Sequence, residues 1–249
     1  MSLKLKNKIC IVTGATSGMG KAIAERFHKE GATLILSGRN EQRGSSLSKK
    51  LDNSVFLAGD VSSPKYNEQL VKTAIDNFGK LDIVSMNAGV LGLGSITDLS
   101  TEDWHNTLDT NLSSIFYMSK YAIPHLEKHS GTMLINASIA AYKSFPNHPA
   151  YCASKAASVA LMKQIAVDYA PKIRVNAICP GPVDTPLIWD SAKAFENPEK
   201  AVDNAGKTTL MNRLGQPEDI ANLALFLVSE EASWITGTAM TIDGGILNT

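Results

Sequence analysis

Lys8-Ile9-Cys10-Ile11-Val12-Thr13-Gly14-Ala15-Thr16-Ser17-Gly18-Met19-Gly20 runs from a β-branched apolar stretch straight into glycines. The apolar part reads as a strand buried on both faces. Lys21-Ala22-Ile23-Ala24-Glu25-Arg26-Phe27 follows with helical periodicity. Strand, glycine turn and helix together open a dinucleotide-binding βαβ unit. Gly14 permits the tight turn, Gly18 lets backbone approach a pyrophosphate, and Gly20 lets the helix pack close to the strand. Thr16, Ser17 and Met19 complete the loop. The helix N-terminus turns free N–H groups and a positive dipole end toward the phosphates.

Downstream, Thr33-Leu34-Ile35-Leu36-Ser37 reads as the second strand and ends at Gly38-Arg39-Asn40. A carboxylate about 20 residues past such a loop binds the ribose 2′-hydroxyl of NAD. Here Gly38 makes room instead, and Arg39 supplies a guanidinium able to pair with a 2′-phosphate. The expectation is therefore NADP(H), with NAD as the other possibility if Arg39 only stacks on adenine.

A second constellation lies further on. Tyr151 and Lys155 stand four residues apart in Tyr151-Cys-Ala-Ser-Lys155-Ala-Ala-Ser-Val-Ala-Leu-Met-Lys163, a good helix former, so they share one face. A free phenol, with a pKa of about 10, is a poor acid or base near neutrality. A neighbouring ammonium favours the phenolate, so Lys155 is expected to tune Tyr151 for general acid–base work. Ser138 ends the apolar run Thr132-Met133-Leu134-Ile135-Asn136-Ala137 and is placed to hydrogen-bond a substrate oxygen as charge develops. A serine hydrolase reading of Ser138 lacks both a G-x-S-x-G elbow and a convincing histidine partner. His125 and His129 share a helix face, but no third ligand accompanies them, so no metal site is expected. They read as surface residues. His148 reads either as a substrate-pocket residue or as part of a surface loop.

With these motifs in place the chain resembles the short-chain dehydrogenase/reductase family over roughly residues 6–247. The order of motifs carries the resemblance: Thr13 to Gly20 as cofactor loop, Asp60-Val61 as the pair contacting adenine, and Asn87-Ala88-Gly89 after the fourth strand. Met86 stands where a further Asn is common in the family. Asn111 matches the family's catalytic Asn, and Ser138, Tyr151 and Lys155 match its remaining catalytic residues. Pro180-Gly181, Val183 and Thr185 match the segment at the nicotinamide end. The resemblance implies a Rossmann-like fold, a homotetramer paired through helices near 102–128 and 150–170, and a mobile substrate lid.

Composition agrees with an α/β domain of this kind. The 249 residues suffice for one sizeable core. Lys plus Arg and Asp plus Glu both number 24, giving no net charge and no basic stripe for nucleic acid. No apolar stretch approaches the roughly 20 residues that span a bilayer, and none reads as a signal peptide. Cys10, Cys152 and Cys179 show no disulfide or metal spacing, which makes a reducing cytoplasm the expected location. Cys152, beside Tyr151, reads as a small packing residue. Further strands are expected near 53–58, 81–86, 132–137, 173–179 and 238–242, alternating with helices. That alternation means a doubly wound parallel sheet with helices on both faces. Residues 1–249 form a single domain in this reading. Its least regular stretch, 187–213, is the expected lid, a closing element that excludes water from the reaction.

Three functions remain open on the sequence. The first is a reductase of 3-oxoacyl thioesters on acyl-carrier protein. The second acts on a sugar, polyol or small ketone. The third is a catalytically silent cofactor-binding sensor. Leu91, Leu93, Ile139, Phe145, Leu187, Ile188 and Trp189 are expected to make the substrate pocket apolar.

Overall fold

Side-chain alternation along the first strand, β1 (Ile9–Val12), sets the layers of the fold. Ile9 and Ile11 enter one hydrophobic core, Cys10 and Val12 the other. A strand can feed two cores only when helices cover both faces of its sheet. The computed structural model describes residues 3–249 and has that architecture. Its strands continue with β2 (Thr33–Gly38), β3 (Ser54–Ala58), β4 (Ile83–Met86), β5 (Thr132–Asn136), β6 (Arg174–Pro180) and β7 (Ala239–Ile242). All pair in parallel in the order β3-β2-β1-β4-β5-β6-β7. Each strand falls where the apolar runs place it.

The helices are α1 (Gly18–Lys29), α2 (Glu41–Lys50), α3 (Pro64–Phe78), α4 (Thr101–Leu108), α5 (Ser114–Leu126), α6 (Pro149–Tyr169), α7 (Pro186–Ala192), α8 (Pro198–Lys207) and α9 (Pro217–Val228). Helices α3, α5 and α6 line the core that holds Leu70, Met118 and Met162. Helices α1, α2 and α9 line the other, around Phe27, Leu47 and Leu225. Fully burying a side chain such as Phe27 stabilises the fold by roughly 1.5–3 kcal/mol. A π-helical turn, Asp109–Ser113, joins α4 to α5 and carries Asn111.

Two sequence expectations change. The stretch 187–213 is not irregular, because α7 and α8 occupy most of it. Each starts with proline in its first turn, and Asn197 Oδ1 caps α8 by accepting from the Lys200 N–H at 3.0 Å. Proline there fixes φ without losing a helical hydrogen bond. The second change concerns apolar excess on the two long helices. Ile115, Met118, Val159 and Met162 are core residues, whereas Phe116 is 53% exposed and Val167, on α6, is 77% exposed.

Strand order reverses direction between β1 and β4, so their C-terminal ends leave a crevice. The loops after these two strands meet there. Thr13 Oγ1 accepts the Asn87 N–H at 3.0 Å. A Cβ on Gly14, whose φ is +63°, would come 2.8 Å from the Ala88 nitrogen.

Candidate active site

A cleft of about 440 Å³ opens at that crevice. Every predicted residue of the glycine loop from Gly14 to Gly20 lines it, Thr16, Ser17, Gly18 and Met19 included, apart from Ala15, which is buried behind. The glycines are required by contact as well as by conformation. A Cβ on Gly20 would meet the Gly14 carbonyl oxygen at 2.3 Å, and one on Gly18 (φ +50°) would meet Thr185 Cβ at 3.2 Å. Asp60, Val61, Asn87, Ala88 and Gly89 also line the cleft, as do Tyr151, Lys155 and Thr185. The Oδ1 atoms of Asn87 and Asn136 are buried without a hydrogen-bond partner among the described residues. Both residues border the cleft, so two acceptors there are ready for a ligand's donors.

At the far end stand Arg39 and Arg43. Neither guanidinium takes part in an ion pair among the described residues. Sequence reading missed Arg43. Its signal was the spacing, one helical turn beyond Arg39, with Asn40 capping α2 through the Arg43 N–H at 2.8 Å. The room expected at Gly38 is already taken: a Cβ there would lie 2.6 Å from Thr16 Cγ2. A carboxylate at position 38 is therefore excluded by packing unless Thr16 also changes.

Helix α6 presents Tyr151 and Lys155 together, with the Lys155 Nζ 5.5 Å from the Tyr151 ring centroid. Lys155 is 5% exposed, and its Nζ donates to the Asn136 carbonyl at 2.7 Å. Burial pulls its pKa down to about 8. Burial likewise pushes the Tyr151 phenol up to about 12, with the adjacent Ser138 hydroxyl acting against it. This differs from the expected lowering by Lys155. Desolvation is the larger effect, so the protein's own groups leave Tyr151 protonated. Ser138 is fixed by accepting the Ala140 N–H at 3.0 Å.

Asn111 borders neither cavity. Its side chain holds the loop after β4, accepting from the Val90 N–H at 2.8 Å and donating to the Val90 carbonyl at 2.9 Å. It also donates to Ser154 Oγ at 3.0 Å, while Ser158 Oγ donates to the Asn111 carbonyl at 3.2 Å. The π-turn is thus bolted to α6 beside Tyr151 and Lys155. Across Gly89 the two meet: a Cβ there would lie 3.4 Å from Asn111 Oδ1 and 3.7 Å from Lys155 Nζ.

A second cavity, also about 440 Å³, joins the cleft at Met19, Ala137, Tyr151, Thr185 and Leu187. Pro180, Gly181 and Val183 line this cavity and not the cleft. Ser138, Leu91, Ile139, Phe145 and Ile188 line it too, as does Leu187 at the junction. Leu93 and Trp189 do not. Trp189 is 45% exposed and donates from its indole N–H to Asp184 Oδ1 at 3.2 Å. Phe195, Val202 and Ile246 add apolar wall, and no Asp or Glu lines the cavity. His148 is no surface-loop residue: it is 3% exposed and borders this cavity. Cys152 is half-buried, while Cys10 and Cys179 are buried. No cluster of three His, Cys, Asp or Glu side chains able to hold a metal occurs among the described residues. His125 and His129 therefore gain no third ligand.

A family model described as enoyl-(acyl carrier protein) reductase matches residues 14–247. An uncharacterised oxidoreductase of Thermotoga maritima is 36% identical, covering 98% of both chains. A 3β-hydroxysteroid dehydrogenase of Mediterraneibacter gnavus is also 36% identical, over 97% of this chain and 95% of its own. Among solved structures, the aldohexose dehydrogenase of Thermoplasma acidophilum superposes with a TM-score of 0.91 at 34% identity. That match covers 100% of this chain and 97% of the other.

Proposed function

The chain belongs to the short-chain dehydrogenase/reductase family, and on that premise we propose that it is an NADP(H)-dependent oxidoreductase interconverting an apolar ketone and its secondary alcohol. One observation carries this reading. Tyr151 stands where a cleft shaped by glycines for phosphate meets an acid-free apolar cavity. The cleft suits a dinucleotide on its own features: the Gly14–Gly20 contacts that any Cβ would close, the two unsatisfied amide oxygens, and the unpaired guanidiniums of Arg39 and Arg43. Two guanidiniums and no carboxylate at position 38 favour a 2′-phosphate over a bare ribose hydroxyl.

When bound, the nicotinamide supplies or accepts the hydride. Every other duty falls to the chain. In reduction Tyr151, which holds its proton at neutral pH, donates it to the carbonyl oxygen, and the burial that raises its pKa makes it the weaker acid for that step. In oxidation it must take a proton back, which the same burial makes harder. Lys155 supplies the local positive charge that favours the phenolate, and at about pH 8 it is itself only part protonated. The Ser138 hydroxyl holds the substrate oxygen beside Tyr151. Asn111 keeps the π-turn, the loop after β4 and α6 in register. Helices α7 and α8 form the lid, closing the cavity against water.

The apolar wall favours an apolar substrate. A sugar would leave several hydroxyls unpaired against Phe145, Ile188, Phe195 and Val202, at a cost of about 1–3 kcal/mol for each buried unsatisfied group. An alicyclic ketone or an acyl chain meets no such cost, and the hydroxysteroid dehydrogenase among the relatives bears a name of that class. A panel of alicyclic ketones, 3-oxoacyl thioesters and aldoses, each with NADPH and NADH and followed by nicotinamide absorbance, tests the proposal. The expected order places apolar ketones first, with NADPH preferred. Turnover of aldoses above all ketones would overturn the substrate class, and no turnover at all would favour the silent sensor. Family resemblance and the exposed Phe116 and Val167 support assembly into a homotetramer through α5 and α6. Three unpaired cysteines support a cytoplasmic location. No helix among the described residues is long and apolar enough to cross a membrane.

A further inference from the structure

His148 is the N-cap residue of α6, three positions before Tyr151. Its Nδ1 lies 2.6 Å from the Pro146 carbonyl oxygen. A carbonyl can only accept, so Nδ1 carries the proton. Its Nε2 lies 2.8 Å from Ser191 Oγ on α7, and in the neutral ring it accepts from that hydroxyl. The ring also stands edge-on to Phe145 and Tyr151, with centroids 6.3 Å apart in both pairs. One buried imidazole thus touches the loop before α6, the catalytic phenol and α7.

The hydrogen bonding of the segment 186–207 makes this contact decisive. Trp189 bonds back to Asp184, at the base of the segment itself. Beyond that bond and those its two ends make with the flanking Thr185, Thr208 and Thr209, its hydrogen bonds to the rest of the protein, among the described residues, go to two neighbouring side chains. They are His148 to Ser191 and Asn147 Nδ2 to the Ala194 carbonyl, the latter long at 3.4 Å. Both anchors therefore sit at the head of the catalytic helix. The C-terminal end of α8 is held by Thr209, whose Oγ1 donates to the Gly206 carbonyl at 2.9 Å; apolar packing holds the rest of α7 and α8, and packing of that kind can slide. Leu187 and Ile188, which α7 contributes to the cavity wall, lie on the same short helix as Ser191.

We propose that His148 is a positioning residue: through Ser191 it latches α7 over Tyr151, so that closing the substrate cavity and aligning the catalytic helix are one event. The inference rests on reading the second cavity as the substrate site. It predicts an effect on substrate affinity more than on the chemical step, because His148 offers no free donor to the substrate while both its nitrogens are engaged.

The test uses His148→Phe, which keeps an aromatic ring but removes both hydrogen bonds, along with His148→Gln, Ser191→Ala and the His148→Phe/Ser191→Ala double variant. Hydrogen exchange of the α7 amides is measured on the full chain without substrate, and KM and kcat with the best ketone. His148→Phe and Ser191→Ala should each speed exchange in α7. Each should raise KM about 5- to 10-fold, the scale of one lost hydrogen bond with its partner left buried, with a smaller change in kcat. The double variant should be no worse than either single one, and His148→Gln should recover part of the loss. Unchanged α7 exchange in both single variants, or additive effects in the double, would overturn the latch. Absence of turnover in the wild type would instead count against the ketone reading, and the exchange data would still judge the latch.

Discussion

Lys155→Met should make the protein more stable near neutral pH relative to its stability in alkali, because the native fold holds an ammonium where it is costly. Burial lowers the Lys155 pKa from 10.5 to about 8. Between those values the unfolded chain holds the proton and the folded chain does not, so wild-type stability rises with pH across the window. Below pH 8 both states are protonated and the whole cost is present. At 1.36 kcal/mol per pKa unit, that cost is about 3 kcal/mol at pH 7. By linkage it falls to about 1 kcal/mol at pH 10. Methionine keeps the apolar stem and discards the charge. It also loses the 2.7 Å bond to the Asn136 carbonyl, which costs about 1–3 kcal/mol at any pH and offsets part of the gain. The informative quantity is therefore a difference. Denaturant unfolding of wild type and variant at pH 7 and pH 10 should show the variant's relative stability falling by roughly 2–3 kcal/mol between the two. Turnover and cofactor affinity should fall in the same variant. Parallel stabilities at the two pH values would show that Lys155 is not desolvated as the structure has it, and the argument from burial to catalytic tuning would fail with it.

Tyr151→Phe should fold and bind cofactor yet lose at least ~10²-fold in turnover, the lower scale for general acid–base catalysis; near wild-type rates would remove Tyr151 from the mechanism. With its phenol raised to about 12, Tyr151 holds its proton through neutrality. Alcohol oxidation should therefore accelerate with rising pH while ketone reduction stays level, and a level oxidation profile would contradict this. Arg39→Ala and Arg43→Ala should each weaken NADPH by about 10- to 100-fold with little effect on NADH; titration giving equal wild-type affinities would mean that neither reads the phosphate. Gly38→Asp should shift preference toward NADH only when combined with Thr16→Ala, since Thr16 fills the space. Sedimentation at micromolar concentration should give a tetramer, and a monomer would leave Phe116 and Val167 without the partner proposed for them.

The strands and the glycine loop were legible because their causes are local. A strand buried on both faces must be a continuous apolar run, and Gly20 answers to a contact with Gly14 in the same turn, although Gly14 and Gly18 also face the distant Ala88 and Thr185. Tyr151 and Lys155 could be paired from sequence because helical geometry alone sets their relation. What escaped depends on contacts between distant segments. The direction of the Tyr151 pKa could not be read from its neighbour at i+4, because it follows from burial in the folded chain, with Ser138 and Cys179 brought in from distant segments. Thr16 and Gly38 are 22 positions apart in sequence, and only the pairing of β1 with β2 turns the missing carboxylate from a cofactor signal into a packing requirement as well. His148 hides for the same reason: its partner Ser191 lies on a helix 43 residues away.

Some of the missed features did carry a signal. Thr185-Pro186 and Asn197-Pro198 announce two helix starts within the stretch read as irregular, and Arg43 follows Arg39 by one turn. With α7 a helix, the proposed lid is a rigid element, and two of its side-chain bonds meet the head of α6. Closure would then be a rigid-body docking governed by one buried contact, not the ordering of a loose loop. The two differ in observable ways. Ordering a loop brings a large entropy cost into substrate binding, whereas docking a preformed helix confines the loss to the latch. Substrate affinity should accordingly respond more to Ser191→Ala than to substitutions at the exposed positions of α7, such as Trp189.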